Sequence, residues 1–279
     1  MLPSDPPLTL RAALRRCVLA AVVVDDLDAR PGDDGVHVTV TAGDPFVPWS
    51  DVAAAAAAPA GPAAARQRVR DWLLAHRVLQ EETAAGTDPH RLVLPLALPA
   101  AAGAHLGAAW EHREVLGGGL HLGLGVPLPT PGAPVPRVVP LPRAVAERTG
   151  VPTGPEAGHL DLLEQFGTVA AQRLRRDEGG RGGGVLRPVG GCDVPTLLAS
   201  ASLRAHLASG AAAGLRAVAV PARERGWFDL ARIDPAFVVA AWSATEPEHR
   251  GFPRAVLVTR DEVVVPAAGA GLPRQALGA

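Results

Sequence analysis

The sequence predicts an α+β protein of mixed helices and short strands. Apolar stripes at helical spacing recur along the 279 residues, most clearly over 63–79 and 158–176. Short alternating runs lie between them, such as Val36-His37-Val38-Thr39-Val40. Helices and strands follow one another without a regular βαβ period, which argues against a doubly wound parallel sheet. The length and a 48% hydrophobic composition allow a large buried core.

Taken in order, Asp5-Pro6-Pro7 marks a helix start, because Asp caps and proline suits the first turn. Leu10, Leu14, Val18 and Ala21 then share a stripe over 9–21. The valines at 22–24 either end that helix or open a strand. After the turn-forming Pro31-Gly32-Asp33-Asp34-Gly35, the run from Val36 to Thr41 alternates with valine inward. Ser50 is placed to cap an alanine-rich helix over 51–58. Val69, Trp72, Leu73 and His76 share a face of the next helix, over 63–79. Alternation around Pro95 over 91–98 reads as an edge strand. Residues 110–115 read as a short helix and 119–126 as a strand.

The stretch from 127 to 142 holds too many prolines for an internal strand or helix. It reads as a linker or surface-wrapping segment. It would join an N-terminal α+β subdomain, 1–126, to a C-terminal α+β subdomain, 143–279. In that second half, helices are expected over 142–148, 158–176 and 195–208, the last unbroken. Strands are expected over 185–189 and 215–220. Asp234-Pro235 opens a helix running to about Ala244, and 255–259 with 262–266 form a hairpin. The tail from Ala267 has no periodic pattern.

Composition excludes much chemistry. All basic residues are Arg, Tyr and Asn are absent, and Ile233 is the only isoleucine. These are losses of AT-rich codons, so the bias is that of a GC-rich genome. Without Lys there is no Schiff base, no P-loop cation and no Ser-x-x-Lys acyl-enzyme. No dinucleotide, nucleophile-elbow, zincin or Cys-x-x-Cys motif occurs. A net charge of -1 provides no global field for nucleic acid. Arg15-Arg16 precedes an apolar run that stops at Asp25-Asp26, short of the ~20 residues a membrane span needs. The segment reads as folded rather than exported, and the protein as cytoplasmic and not membrane-bound. Cys17 and Cys192 read as unpaired thiols. No cofactor and no metal are expected.

Three residues are candidates for catalysis on a small metabolite: Cys192, Asp193 and His121. Cys192 follows Gly190-Gly191 and stands just before a helix, where a thiol can be activated. The competing reading is an ordinary glycine turn, a small buried residue and an Asp cap. His121 lies near His105, Glu111 and His112 in sequence, but intervening glycines break the helical face a metal site would use. Residues 50–98 follow a crude winged-helix order with Arg66, Arg68, Arg70 and Arg77 on its second helix. This supports the alternative of a nucleic-acid-binding regulator. Residues 223–254 contain Trp227, Phe228, Phe237, Trp242 and Phe252, half of all the Trp and Phe. Helical spacing assigns Phe237 and Trp242 to the core. Trp227 and Phe228, in a turn-like stretch with Arg225, Arg232 and Arg250, form the expected binding patch, since Trp and Arg dominate hot spots. The competing reading is a second core cluster locked by ion pairs. The leading function is an interaction or regulatory protein with a protein partner and no catalytic activity. Nothing in the pattern sets the oligomeric state.

Overall fold

The computed structural model describes residues 8–40, 45–57, 61–100, 104–128, 136–177, 184–211, 213–228 and 233–266. In chain order it begins with α1 (Leu8–Asp25), β1 (Ala29–Pro31), β2 (Gly35–Val38), β3 (Phe46–Pro48), α2 (Trp49–Ala56) and α3 (Gly61–Ala84). Then come β4 (Leu94–Pro99), β5 (His112–Val115), β6 (Leu120–Leu128), β7 (Arg137–Pro140) and α4 (Arg143–Thr149). The rest is α5 (Ala157–Asp177), β8 (Gly184–Leu186), α6 (Val194–Leu198), α7 (Ala201–Ser209) and β9 (Arg216–Ala222). It closes with β10 (Arg225–Phe228), α8 (Pro235–Ala244), β11 (Val256–Val258) and β12 (Val263–Val264). The class is α+β, and each ladder whose register is described is antiparallel. No helix among the described residues is long and apolar enough to cross a membrane.

Two compact units form. The first gathers Met1–Leu94, Ala101–Glu111 and Gly123–Gly154; the second gathers Pro95–Ala100, His112–Leu122 and Pro155–Ala279. The chain therefore visits the second unit twice before settling in it. The proline-rich stretch runs partly as sheet, because β7 pairs with the end of β6, Pro127 opposite Val138 and Pro140 opposite Gly125. Among the described residues β7 pairs with β6 alone, and an edge strand tolerates residues without an N–H. Residues 129–135 lie outside the described chain.

In the first unit α3 is central and packs against α1, α2 and α4. α1 buries Leu14, Val18 and Ala21 and continues through the valines at 22–24; Leu10 is exposed. The meander β1-β2-β3 buries Val36 and Val38 and turns His37 outward, as alternation requires. Gly35 must be glycine, since a Cβ there would stand 2.3 Å from the Val47 carbonyl. Trp110 does not begin a helix. It is buried, its indole donates to the Leu124 carbonyl at 2.8 Å, and 112–115 forms a strand. In the second unit, Leu116, Gly117 and Gly118, all with positive φ, turn β5 back into β6 as a hairpin, which a helix reading of the segment misses.

In the second unit the sheet has the order β12-β11-β9-β10-β8. Its core joins Leu163, Leu174, Cys192, Leu197, Leu203, Val218 and Phe228. The helix expected over 195–208 is split into α6 and α7 at Ala199-Ser200. Glu164 of α5 explains the break. Its carboxylate accepts from the Ser200 hydroxyl at 2.9 Å and from the Ala201 and Ser202 N–H groups at 2.7 and 3.0 Å. Ser200 in turn caps α7 by accepting from Leu203 N–H. The approach of α5 is close enough that a Cβ on Gly167 would lie 1.9 Å from Ser200 Oγ. Burial raises the Glu164 pKa, but the bonds from Ser202, Ala201 and Ser200 outweigh it and hold the group below its ordinary 4.5.

Glu164→Ala should therefore destabilise the chain by about 1–2 kcal/mol in chemical denaturation. A depressed carboxylate contributes fully above its unfolded pKa and loses that contribution as pH falls through its folded one. Glu164→Gln should flatten the loss of stability below pH 4.5. An unchanged acid limb would count against the cap.

Candidate functional site

The catalytic candidates are absorbed by architecture. Gly190 and Gly191 both have positive φ, 61° and 90°, so the turn needs glycine twice. A Cβ on Gly190 would also enter the Phe166 ring. These glycines serve chain reversal and packing. Cys192 is 0% exposed, and its Sγ faces the Pro95 carbonyl at 3.8 Å. Burial, and then the Asp193 charge, push its thiol up to about 12. A helix N-terminus does activate thiols, but here desolvation wins. Asp193 caps α6, accepting from Thr196 N–H at 2.9 Å and its hydroxyl at 2.6 Å, and pairs with Arg223. Arg223 is the tip of the β9–β10 turn and is fixed further by its N–H bond to the His249 carbonyl at 2.7 Å.

His121 stacks on His112 across the β5–β6 hairpin, ring centroids 4.5 Å apart. Its Nε2 stands 3.7 Å from Glu114. Burial, then the neighbouring His112, lower its pKa, with Glu114 opposing. Among the described residues no three His, Cys, Asp or Glu side chains gather where a metal ion could sit. The side chain of His105 lies outside the described residues.

Arg66, Arg68 and Arg70 of α3 are engaged within the first unit. Arg66 and Arg70 each lie 3.7 Å from Asp25 of α1. Arg68 donates to the Ala55 and Ala56 carbonyls at 3.0 and 3.2 Å and closes the end of α2. Nε of Arg77 is buried. A helix packed against α1, α2 and α4 is not placed as a reading head for a DNA groove.

What remains is the aromatic segment, with its burial inverted. Phe228 is 0% exposed in the core, where Arg216 lies over its ring at 4.8 Å. It is a packing residue and cannot touch a partner. Trp227, its neighbour on β10, is half-buried, because successive strand residues face opposite ways. Phe237, expected inside, is 58% exposed, and its ring meets Trp227 at 5.7 Å. α8 reads PAFVVAAWSA and carries no charge, yet Val238 alone is buried. Such a helix is normally covered on all sides. Here Ala236, Ala240, Ser243 and Ala244 form a low outward strip. Phe237 and Val239, the latter 45% exposed, rise on either side of it.

Polar groups hold this helix in place. Asp234 caps its start by accepting from Ala236 N–H at 2.9 Å. Arg250 closes its end, donating to the Thr245 and Ser243 carbonyls at 3.0 and 3.3 Å. The same guanidinium lies 4.3 Å over the half-buried Trp242 ring. Arg250 is therefore a positioning residue. Arg225 is exposed at the start of β10, and Arg232 lies outside the described residues. Sequence reasoning missed Phe237 and Val239; the uncharged composition of α8 was the available signal.

No protein-family model, curated protein or solved structure matches this chain.

The burial of Cys192 makes a sharp expectation. At pH 8 the thiolate fraction of a group near 12 is on the order of 10⁻⁴. Iodoacetamide should label the folded chain at Cys17 first and reach Cys192 only on unfolding. Labelling of Cys192 near pH 6 would restore it as a nucleophile.

Proposed function

We propose that this chain is an interaction protein whose second unit docks a partner protein through the outer face of α8. The observation that carries the reading is an uncharged helix with one buried residue and with Phe237 and Val239 at the surface. Exposed apolar patches of this kind mark interaction sites. A trough of small residues between two larger ones suits an amphipathic partner helix, whose large side chains settle over the alanines. Trp227 extends the apolar area beside Phe237, and Arg250 holds the end of the helix. α1 also exposes Leu8, Leu19 and Val23, but Arg15 and Arg16 interrupt that stripe, so α8 is the better candidate.

Catalysis is less well supported, since Cys192 and Asp193 are committed to packing and capping. Nucleic-acid binding through residues 66–77 is less well supported because Arg66, Arg68 and Arg70 bond within the fold. A reducing compartment such as the cytoplasm fits the unpaired Cys17 and Cys192.

The test is a double variant, Phe237→Asp with Val239→Asp. Surface substitutions of this type change stability by about 0.5 kcal/mol or less, so its melting temperature should stay close to that of the parent. A photo-crosslinking residue at position 240 should give one discrete adduct in cells with the parent and none with the double variant. Equal adducts from both, with equal melts, would remove α8 as the docking face. A melting temperature lowered by 10 °C or more would make Phe237 and Val239 structural instead.

A further inference from the structure

Of the eleven large apolar side chains exposed among the described residues, five belong to α1: Leu8, Leu10, Leu19, Val23 and Val24. Leu8 and Val23, at 82% and 81%, are the most exposed of the set. Helical spacing gathers Leu8, Ala12, Leu19 and Val23 into one outward strip about 60° wide. Leu14, Val18 and Ala21, the residues α1 buries, lie on a different face. The same spacing puts Arg15 on one flank of the strip and Arg16 on the other, and both are exposed.

The charge on this helix has one sign. No acid occurs between positions 8 and 24. Asp25 is the last residue of α1, and its carboxylate turns to Arg66 and Arg70, 3.7 Å from each. Asp26, with φ 52°, then takes the chain out of the helix. An apolar strip flanked by guanidiniums is a poor seat for a dry protein interface, where each arginine would need a matching acid. At a lipid surface both parts are satisfied together. Leucine and valine reach the acyl boundary, while the arginine stems lie along it and carry their charges to the headgroup phosphates.

We propose that α1 docks the first unit on an anionic membrane surface, with the strip from Leu8 to Val23 lying along the bilayer plane. Charge complementarity sets the occupant: the exposed face of α1 offers cations and apolar side chains, and an anionic leaflet attracts both. This revises the expectation of no membrane contact, which rested on the length a span requires. A helix that lies on a surface needs only one apolar face with cationic flanks. Two arginines and a narrow strip make the association peripheral, reversible and sensitive to salt. It does not depend on the reading of α8, which belongs to the second unit.

Flotation of the full chain with vesicles of phosphatidylcholine, alone or with about 30% phosphatidylserine, tests this. The parent should float with the anionic vesicles about fivefold more than with the neutral ones, and about 0.5 M salt should remove most of the difference. Arg15→Glu with Arg16→Glu should bring anionic binding down to the neutral level. Leu19→Asp with Val23→Asp should abolish binding to both; if that variant does not fold, the arginine variant, altered only at exposed positions, decides. Phe237→Asp with Val239→Asp should float as the parent does, which separates the two surfaces. The proposal is overturned if the parent ignores both vesicles, binds them equally, or loses binding only through the α8 variant. It is overturned as well if the folded α1 variants bind as the parent does. Sedimentation showing a parent dimer that Leu19→Asp with Val23→Asp turns into a monomer would also overturn it, since a second copy would then cover the strip.

Discussion

Arginine closes helices in this protein. Arg68 donates to the last carbonyls of α2, Arg204 to Leu198 and Ala199 at the end of α6, and Arg250 to the last turn of α8. A helix leaves its final carbonyls unpaired, and a guanidinium with its planar fork can satisfy two of them at once. The chain has no lysine or asparagine to share the task. Carboxylates do the complementary work at helix starts: Glu164 at α7, where the Ser200 hydroxyl joins it, Asp193 at α6 and Asp234 at α8. Charge placed this way also suits the helix dipole at both ends.

This division of labour bears on function. A charged side chain tied to a backbone end is not available to a substrate or a phosphate. Two residues that resemble catalytic or nucleic-acid-binding groups, Asp193 and Arg68, are instead closures of helices. What the closures leave open is an apolar surface. α8 is fixed at its start by Asp234 and at its end by Arg250, and its middle faces outward with no cover among the described residues. Rigid ends and an uncovered apolar middle are what a docking face requires, since little order has to be gained on binding.

Much of the fold was legible where local signals are strong. Asp234-Pro235 marked the start of α8, and the long stripe over 158–176 foretold α5 within a residue at each end. Local reading failed where a distant residue decides. The break at Ser200 is set by Glu164, 36 positions away, and the strand at 137–140 exists because β6 offers it an edge. The site failed for a different reason. Periodicity tells which residues share a face but not which face is covered, and α8 has no polar side to give the sign. Phe228 and Phe237 were exchanged in consequence. On β10 the alternation that sends Phe228 inward and Trp227 toward Phe237 was hidden because the segment reads as a turn.

The central claim is that the outward face of α8 is covered by a partner in the cell. Hydroxyl-radical footprinting of the purified chain and of the same chain in intact cells tests it directly. The account predicts strong oxidation of Phe237 and Trp227 in the purified chain and clear protection in cells, with exposed Met- and Trp-free control peptides of the first unit unchanged between the two. Equal oxidation of Phe237 in both settings would contradict it.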